Sequence, residues 1–207
     1  MTFASVRTEL SLTGSSKLAA LLSLWLLALP LSTCLADPSE EKASNRELRR
    51  SHLVVLAYQE AVRTMVQDWA EAGPDRSGFR EEDIVSFRAD VSYGDMRRDG
   101  SEVAAVEVHY HLGEAGTANF SGVFLYGLQD GGARLLDRVK GGDRAHGGIK
   151  SAFISFDDGR LIIERYRPTK ADCNSCYGFV ETTQYELRGT KLVTKNVKMD
   201  PIPEKNK

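Results

Sequence analysis

The sequence lacks the compositional biases that mark specialised classes of protein. Only three of its 207 residues are cysteine and 8% are aromatic, while 42% are hydrophobic, which excludes disorder, collagen and coiled coils and is typical of one compact globular domain. Neither sign of charge dominates, since 27 Lys and Arg residues oppose 29 Asp and Glu residues for a net charge of −2. A protein that binds nucleic acid is expected to carry a basic face, so we expect no nucleic-acid partner.

The sequence also lacks an apolar run long enough to cross a bilayer. The longest, Leu18–Leu31, has about 14 residues, whereas a spanning helix needs roughly 20. Arg7 and Lys17 precede this run and small residues follow it up to Ala36. The pattern predicts a secretory signal peptide over residues 1–36, no transmembrane segment in the mature chain, and a periplasmic or secreted protein.

Two processing routes fit this leader. Cleavage after Ala36 is favoured, and it would remove Cys34. The alternative is lipidation of Cys34, for which Thr33 is a poor preceding residue, and which would give an envelope lipoprotein anchored through Cys34.

Either route leaves Cys173 and Cys176 as a pair, which an oxidising compartment favours as a disulfide. A bridge across so short a loop contributes about 2 kcal/mol, so it would be a local clamp. A redox centre and a zinc site are the alternatives. The pair does not open a helix after a strand, and no second cysteine pair completes four zinc ligands, so we favour the structural disulfide.

The mature chain is predicted to be an α+β protein with its helix first. Residues 37–75 are expected to hold a polar tether over 37–45 and a helix over 45–72, with the Ser44-x-x-Glu47 capping box at its start and Gly73-Pro74 after its end. The apolar stripe of the helix, expected to face the core, consists of Val55, Tyr58, Val62, Met65, Val66 and Trp69.

After the predicted helix, the period at which apolar residues recur changes from 3.6 to 2 residues. This change predicts about eight short strands without intervening helices. Such strands pair antiparallel, so residues 76–200 should form a curved sheet or partly closed barrel against which the helix packs, followed by a disordered tail over 201–207. Turn chemistry marks the connections at 129–132, 157–159 and 188–190. The strands are predicted at 85–93, 104–112, 117–128, 133–140, 149–156, 160–167, 178–188 and 191–198.

Three side chains of the second strand share its polar face: Glu107, His109 and His111. His-x-His can bind a metal, but the glutamate of a cupin pattern is missing because Glu114 comes too early. We therefore expect a solvated sheet face and predict no metal or cofactor, with His109 and His111 as the candidate ligands should a metal be present.

The stretch from Asp95 to Gly100 superficially resembles a calcium loop. Arg97 stands where such a loop needs an oxygen ligand, and Val106 stands in place of the final glutamate. A hairpin turn is the better interpretation.

The glycine-rich stretch over 141–148 is the least generic part of the sequence. Its glycines allow tight turns, and Asp143 with Arg144 could hold the connection together. The alternative is an exposed binding loop in which Arg144 grips an anionic group beside His146. A P-loop is excluded because no G-K-[ST] follows, and no nucleophile motif assigns a catalytic residue.

The run over 93–193 resembles a family of uncharacterised exported bacterial proteins. The resemblance is carried by a G-D-R…G-G-I element over 142–149 and a D-G-x-L element over 158–161, together with Val123–Tyr126, Leu135–Arg138, Glu164–Tyr166 and Thr182–Tyr185. The Asp-Gly turn over 95–100 departs from the family's usual D-x-[NT]-G-D-G. The resemblance implies export and a β fold, without an activity or a substrate.

The function that we expect is that of a non-enzymatic binding or interaction module in the envelope, whose partner is another envelope protein or a small ligand. The alternative is a hydrolase or a redox or metal-dependent enzyme that uses the 141–148 loop or the Cys173/Cys176 pair.

Overall fold

The protein folds into three layers, in which one helix covers one face of an antiparallel sheet and a second sheet covers the other face. This architecture is seen in a computed structural model. The structure describes residues 8–10, 38–71, 81–113, 119–129, 132–143, 148–168 and 177–202.

Helix α1 extends from Pro38 to Glu71, so it includes most of the stretch predicted to be a tether. The sequence explains the earlier start. Proline in the first turn lacks only an N–H group that has no helical partner there. This signal precedes the capping box at Ser44, which lies inside the helix.

The face of α1 that packs against the first sheet is centred on small side chains. Leu53, Ala57 and Ala61, one turn apart, are each at most 1% exposed. Val55, which the sequence assigned to the core, is 52% exposed, so that prediction is wrong. The two alanines let the helix approach the sheet closely. Of the other predicted stripe residues, Tyr58 and Val62 pack against the core, and the side chains of Met65, Val66 and Trp69 lie outside the described residues.

Nine strands are described, and every pairing between them is antiparallel. The eight that follow α1 match the eight predicted runs. Sheet A consists, in spatial order, of β1 (Thr8–Leu10), β2 (Ile84–Gly94), β3 (Val103–Leu112), β4 (Asn119–Gln129) and β5 (Gly132–Asp143). Sheet B consists of β6 (Ile149–Ile154), β7 (Leu161–Pro168), β8 (Tyr177–Arg188) and β9 (Lys191–Pro201).

The α+β class and the antiparallel pairing are confirmed, but the described strands form two sheets and do not close into a barrel. Strand β3 shows why. Its residues from Val103 to Val108 are all buried, those of one face against α1 and those of the other against sheet B. A sheet that is apolar on both faces needs a cover on each side. Strand β1 also precedes α1, so the helix is not the first element.

Side chains also join the two sheets. Asp137 on β5 accepts hydrogen bonds from the backbone N–H of Leu192 on β9 at 2.8 Å and from Lys191 Nζ at 3.2 Å. Burial alone would raise the pKa of Asp137, but these hydrogen bonds, with the backbone N–H of Arg138, hold it below its ordinary value. The carboxylate is therefore the favoured form at this junction.

Within sheet B, a bidentate ion pair links β7 to β8. Arg167 donates hydrogen bonds from Nε and Nη2 to the two carboxylate oxygens of Glu181, both at 2.9 Å. Hydrogen bonding from Arg167 is the main cause of the lowered pKa of Glu181. This geometry makes the pair stronger than a single surface contact.

The predicted hairpin turns are confirmed where the structure describes them. Gly159 has φ of +62°, and a Cβ at this position would lie 2.5 Å from the carbonyl oxygen of Asp95. The β6–β7 turn therefore rests on the β2–β3 turn. No helix in the described part of the chain is both long and apolar enough to span a membrane.

Candidate functional site

Most of the site residues predicted from the sequence lie outside the described residues: Cys34, Arg144, His146, Cys173 and Cys176. Asp143 is the last residue of β5, paired in register with Phe120 on β4. The disulfide, the lipid anchor and the binding loop therefore stay predictions.

The first glycines of the 141–148 stretch belong to β5 and have a packing role. A Cβ on Gly141 would lie 2.4 Å from Ser121 Oγ and 2.7 Å from the Ser121 carbonyl oxygen. Ser121 Oγ in turn donates to the carbonyl of Gly142 at 3.2 Å and accepts from the N–H of Ile149 at 2.8 Å. A close approach of β4, β5 and β6 therefore requires glycine at position 141.

The expectation of a solvated face around Glu107 is wrong. Glu107 is 5% exposed and points into the space between the two sheets. Its Oε2 accepts a hydrogen bond from the N–H of Ala152 on β6 at 2.6 Å, and its Oε1 lies 2.5 Å from Nε2 of His109. The carboxylate is thus engaged on both oxygens.

Glu107 belongs to a row of three polar side chains on sheet A that cap the edge of β6. Beside it, Ser92 Oγ on β2 accepts from the N–H of Ile154 at 2.9 Å, and Ser121 on β4 accepts from Ile149. Unpaired edge groups are a template for unwanted pairing with other chains. At β6, side chains from three strands of sheet A accept hydrogen bonds from the backbone N–H groups of that edge.

Ser121, His109 and Glu107 have the residue types of a catalytic triad, and Ser121 stands opposite His109 in register. The hydrogen bonds do not fit that role. Ser121 is 6% exposed, and its hydroxyl is used by the Gly142 carbonyl and the Ile149 N–H. A nucleophile must reach both a base and a substrate, so the described contacts favour a structural serine.

The histidines named as metal candidates are on β3 as predicted. His109 is bound to Glu107, and His111 is paired in register with Ser86 and Asn119. Within the described ranges, no three His, Cys, Asp or Glu side chains are placed to hold a metal ion.

The stretch resembling a calcium loop is the β2–β3 turn, as the hairpin interpretation predicted. The Asp95 carboxylate accepts hydrogen bonds from the backbone N–H groups of Arg97, Arg98 and Gly100 at 3.1, 2.7 and 2.7 Å. The carboxylate that would have bound a cation instead holds the turn. Gly100, with φ of +84°, supplies the left-handed residue that closes it.

One concave surface was not predicted from the sequence. It is a groove of about 890 Å³ between the N-terminal half of α1, strand β2 and the β6–β7 turn. Five consecutive residues of β2, Asp90–Gly94, and the turn residue Asp95 line it, and successive residues of a strand lie on opposite faces of its sheet. A surface that meets both faces of one strand lies at the edge of that strand. We call it the β2 groove.

Two exposed phenylalanines form the sheet B wall of the β2 groove. Phe153 on β6 is 44% exposed, and Phe156 in the β6–β7 turn is 80% exposed. An aromatic residue directly before an Asp-Asp-Gly turn is the only sequence signal for this wall. Large apolar side chains grouped at a groove mark an interaction site more often than scattered ones do.

The opposite wall is cationic. Arg46 and Arg50 on α1 line it one helical turn apart. Of the four carboxylates in the groove, three are already engaged: Asp90 by Arg88, Glu102 by Arg49, and Asp95 by its turn. Glu47 is the fourth. Most of the carboxylates in the groove are thus already bound to protein groups.

Tyr93 lies at the base of the groove on the α1 side. Burial, reinforced by the nearby charge of Glu102, raises the pKa of its phenol, while the arginines of α1 oppose this rise. Its hydroxyl oxygen is buried and has no hydrogen-bond partner within the described part of the chain. The groove is therefore bounded on this side by a buried tyrosine that packs against the core.

No family model matches this sequence, and neither the curated proteins nor the solved structures include a significant match to it. The function must therefore be argued from the geometry of the β2 groove and its surroundings.

Proposed function

We propose that this protein is exported to the bacterial envelope and acts there as a non-enzymatic binding module that holds a segment of another polypeptide in the β2 groove. The composition of residues 1–36 and the resemblance to exported proteins support the location. The observation that carries the binding function is the groove itself, whose volume of about 890 Å³ is in the range of ligand sites.

The walls of the groove favour a polypeptide as ligand. The exposed Phe153 and Phe156 offer apolar surface, and Arg46 and Arg50 place positive charge on the facing wall. Aromatic and arginine side chains are the residues that contribute most to protein interfaces. A peptide presents both kinds of partner along one extended segment.

The enzyme alternative depends on residues outside the described part of the chain: Arg144, His146, Cys173 and Cys176. The groups inside it that could do chemistry, Glu107 and Ser121, are used to bind β6. The described contacts therefore favour binding over catalysis.

The test is site-specific photo-crosslinking in cells that export the protein. A photoreactive residue replaces Phe156 in the groove or, as a matched control, Val197, which is 52% exposed on β9. We expect one polypeptide, identified by mass spectrometry, to be linked at position 156 and not at 197. That polypeptide, once purified, should bind the wild-type protein and bind Phe156→Ser more weakly. Equal linkage at both positions, or none at 156, would contradict a groove-binding function.

Export and the cysteine predictions are tested together by intact mass and thiol alkylation of the protein purified from the envelope. We expect an N-terminus at Asp37 and no labelling of Cys173 or Cys176 without reductant. An acylated Cys34 would replace cleavage by a lipid anchor. Free thiols or stoichiometric zinc would overturn the disulfide and support chemistry at the pair.

A further inference from the structure

We infer that the β2 groove binds its ligand by strand addition, in which an extended segment pairs antiparallel with the outer edge of β2 and extends sheet A. This inference rests on the proposed function and deepens it by naming the mode of binding. The ligand is then a polypeptide in β conformation whose backbone, more than its sequence, is recognised.

An extended segment already pairs with this edge. Strand β1 lies antiparallel beside β2, with Thr8 opposite Ala89, Glu9 opposite Arg88 and Leu10 opposite Phe87. Because β1 lies within residues 1–36, removal of the predicted leader would leave the outer edge of β2 without this partner.

The groove continues the edge that β1 begins to cover. The register of β1 ends at Ala89, and the groove begins at Asp90 and follows β2 to Asp95. A strand that kept the register of β1 would therefore pass directly along the groove, between the arginines of α1 and the phenylalanines of β6 and its turn. Alternate residues of such a strand face opposite walls.

Both edge strands of sheet B are protected against pairing with other chains in the described structure. The row of Ser92, Glu107 and Ser121 caps β6. Strand β9 carries Lys191, Lys195 and Lys198, and lysine on an edge strand discourages pairing with other chains. The residues of β2 that line the groove include no lysine and no proline.

The experiment uses a synthetic peptide of residues 2–12 of this chain and the protein beginning at Asp37. Both described core clusters consist of residues between Leu53 and Leu192, so this form retains them whole. Two further peptides carry N-methyl groups on alternate residues, one at Ala4, Val6 and Thr8 and the other at Ser5, Arg7 and Glu9. N-methylation removes the N–H donors that face in one direction only.

Strand addition predicts that the parent peptide binds and that one methylated peptide binds at least about tenfold more weakly, since it loses two or three backbone hydrogen bonds. The other methylated peptide should bind within about twofold of the parent, because its altered N–H groups face away from β2. All three measurements use the wild-type protein, so no variant has to fold.

The register and direction of the added strand relative to β2 are tested by disulfide trapping. Arg88→Cys should trap a peptide with Glu9→Cys and fail to trap one with Thr8→Cys, whose side chain points to the other face of the sheet. Equal trapping of both peptides, equal weakening by both methylation patterns, or no binding of the parent peptide would each overturn strand addition. The proposed function is judged separately, by crosslinking at position 156.

Discussion

Replacing Glu107 by alanine tests whether the side-chain cap of β6 holds the two sheets together. The substitution removes the acceptor of the Ala152 N–H at 2.6 Å and the partner of His109 at 2.5 Å, from a position that is 5% exposed. Leaving a shielded N–H group without an acceptor costs about 1–3 kcal/mol, and the lost packing of the Cγ methylene group adds to this. We expect Glu107→Ala to lower the free energy of unfolding by about 2–4 kcal/mol.

The change in the free energy of unfolding is measured by urea titration at pH 7, with circular dichroism as the signal. Glu107→Gln keeps one acceptor oxygen and should lose about half as much. Glu102→Ala is the matched control on the same strand pair, since its exposed ion pair with Arg49 contributes at most about 1 kcal/mol. Hydrogen exchange locates the effect, and protection of the Ala152 amide should fall most in Glu107→Ala.

A loss below about 0.5 kcal/mol in Glu107→Ala, as for a typical surface substitution, would refute this reasoning. So would an unchanged exchange rate at Ala152, because the stability loss would then come from somewhere other than the cap of β6.

Three further predictions concern packing and charge. Gly141→Ala should lower stability by about 1–3 kcal/mol in urea unfolding because its Cβ would meet backbone at 2.7 Å, whereas Gly132→Ala, with no neighbour nearer than 3.6 Å, should change it by less than about 1 kcal/mol. Glu181→Gln should cost about 1 kcal/mol at pH 7. Since the folded-state pKa of Glu181 lies below its ordinary 4.5, this contribution is complete above pH 4.5 and is lost as the pH falls through the folded-state pKa. A difference from wild type that persists in strong acid would contradict the bidentate pair. Leu53→Ala should cost about 2–5 kcal/mol and Val55→Ala less than about 0.5 kcal/mol, and equal effects would show that the face of α1 is misassigned.

The strands could be predicted from the sequence because each hairpin has local signals. Alternation of apolar residues marked the first two strands after α1, and turn residues separated the later ones, among them Gly159 and Gly189, which supply left-handed residues. The hairpin over 95–100 was also predictable, since Arg97 does not fit a cation loop and Asp95 is an ordinary turn residue.

The division into two sheets and the roles of single side chains could not be predicted, because they depend on contacts between distant parts of the chain. Glu107 appears polar and therefore solvated in a one-dimensional pattern, yet it caps a strand 45 residues away. Val55 was placed in the core because it belongs to the apolar stripe predicted from the sequence, whereas the close approach of α1 to sheet A favours the smaller Ala57. The β2 groove is formed by three elements far apart in sequence, so no local motif marks it.

The order of the strands has a consequence for how the molecule would respond to a bound ligand. From β2 to β5 and from β6 to β9, every described strand pairs with its neighbour in the chain, so each sheet contains a meander of local hairpins. The described polar contacts between the meanders are side-chain bonds, chiefly those to β6 and β9. A ligand in the β2 groove would touch β2 in one meander and the β6–β7 turn in the other. Occupancy would therefore make the two halves unfold more cooperatively, as a single thermal transition at a higher midpoint.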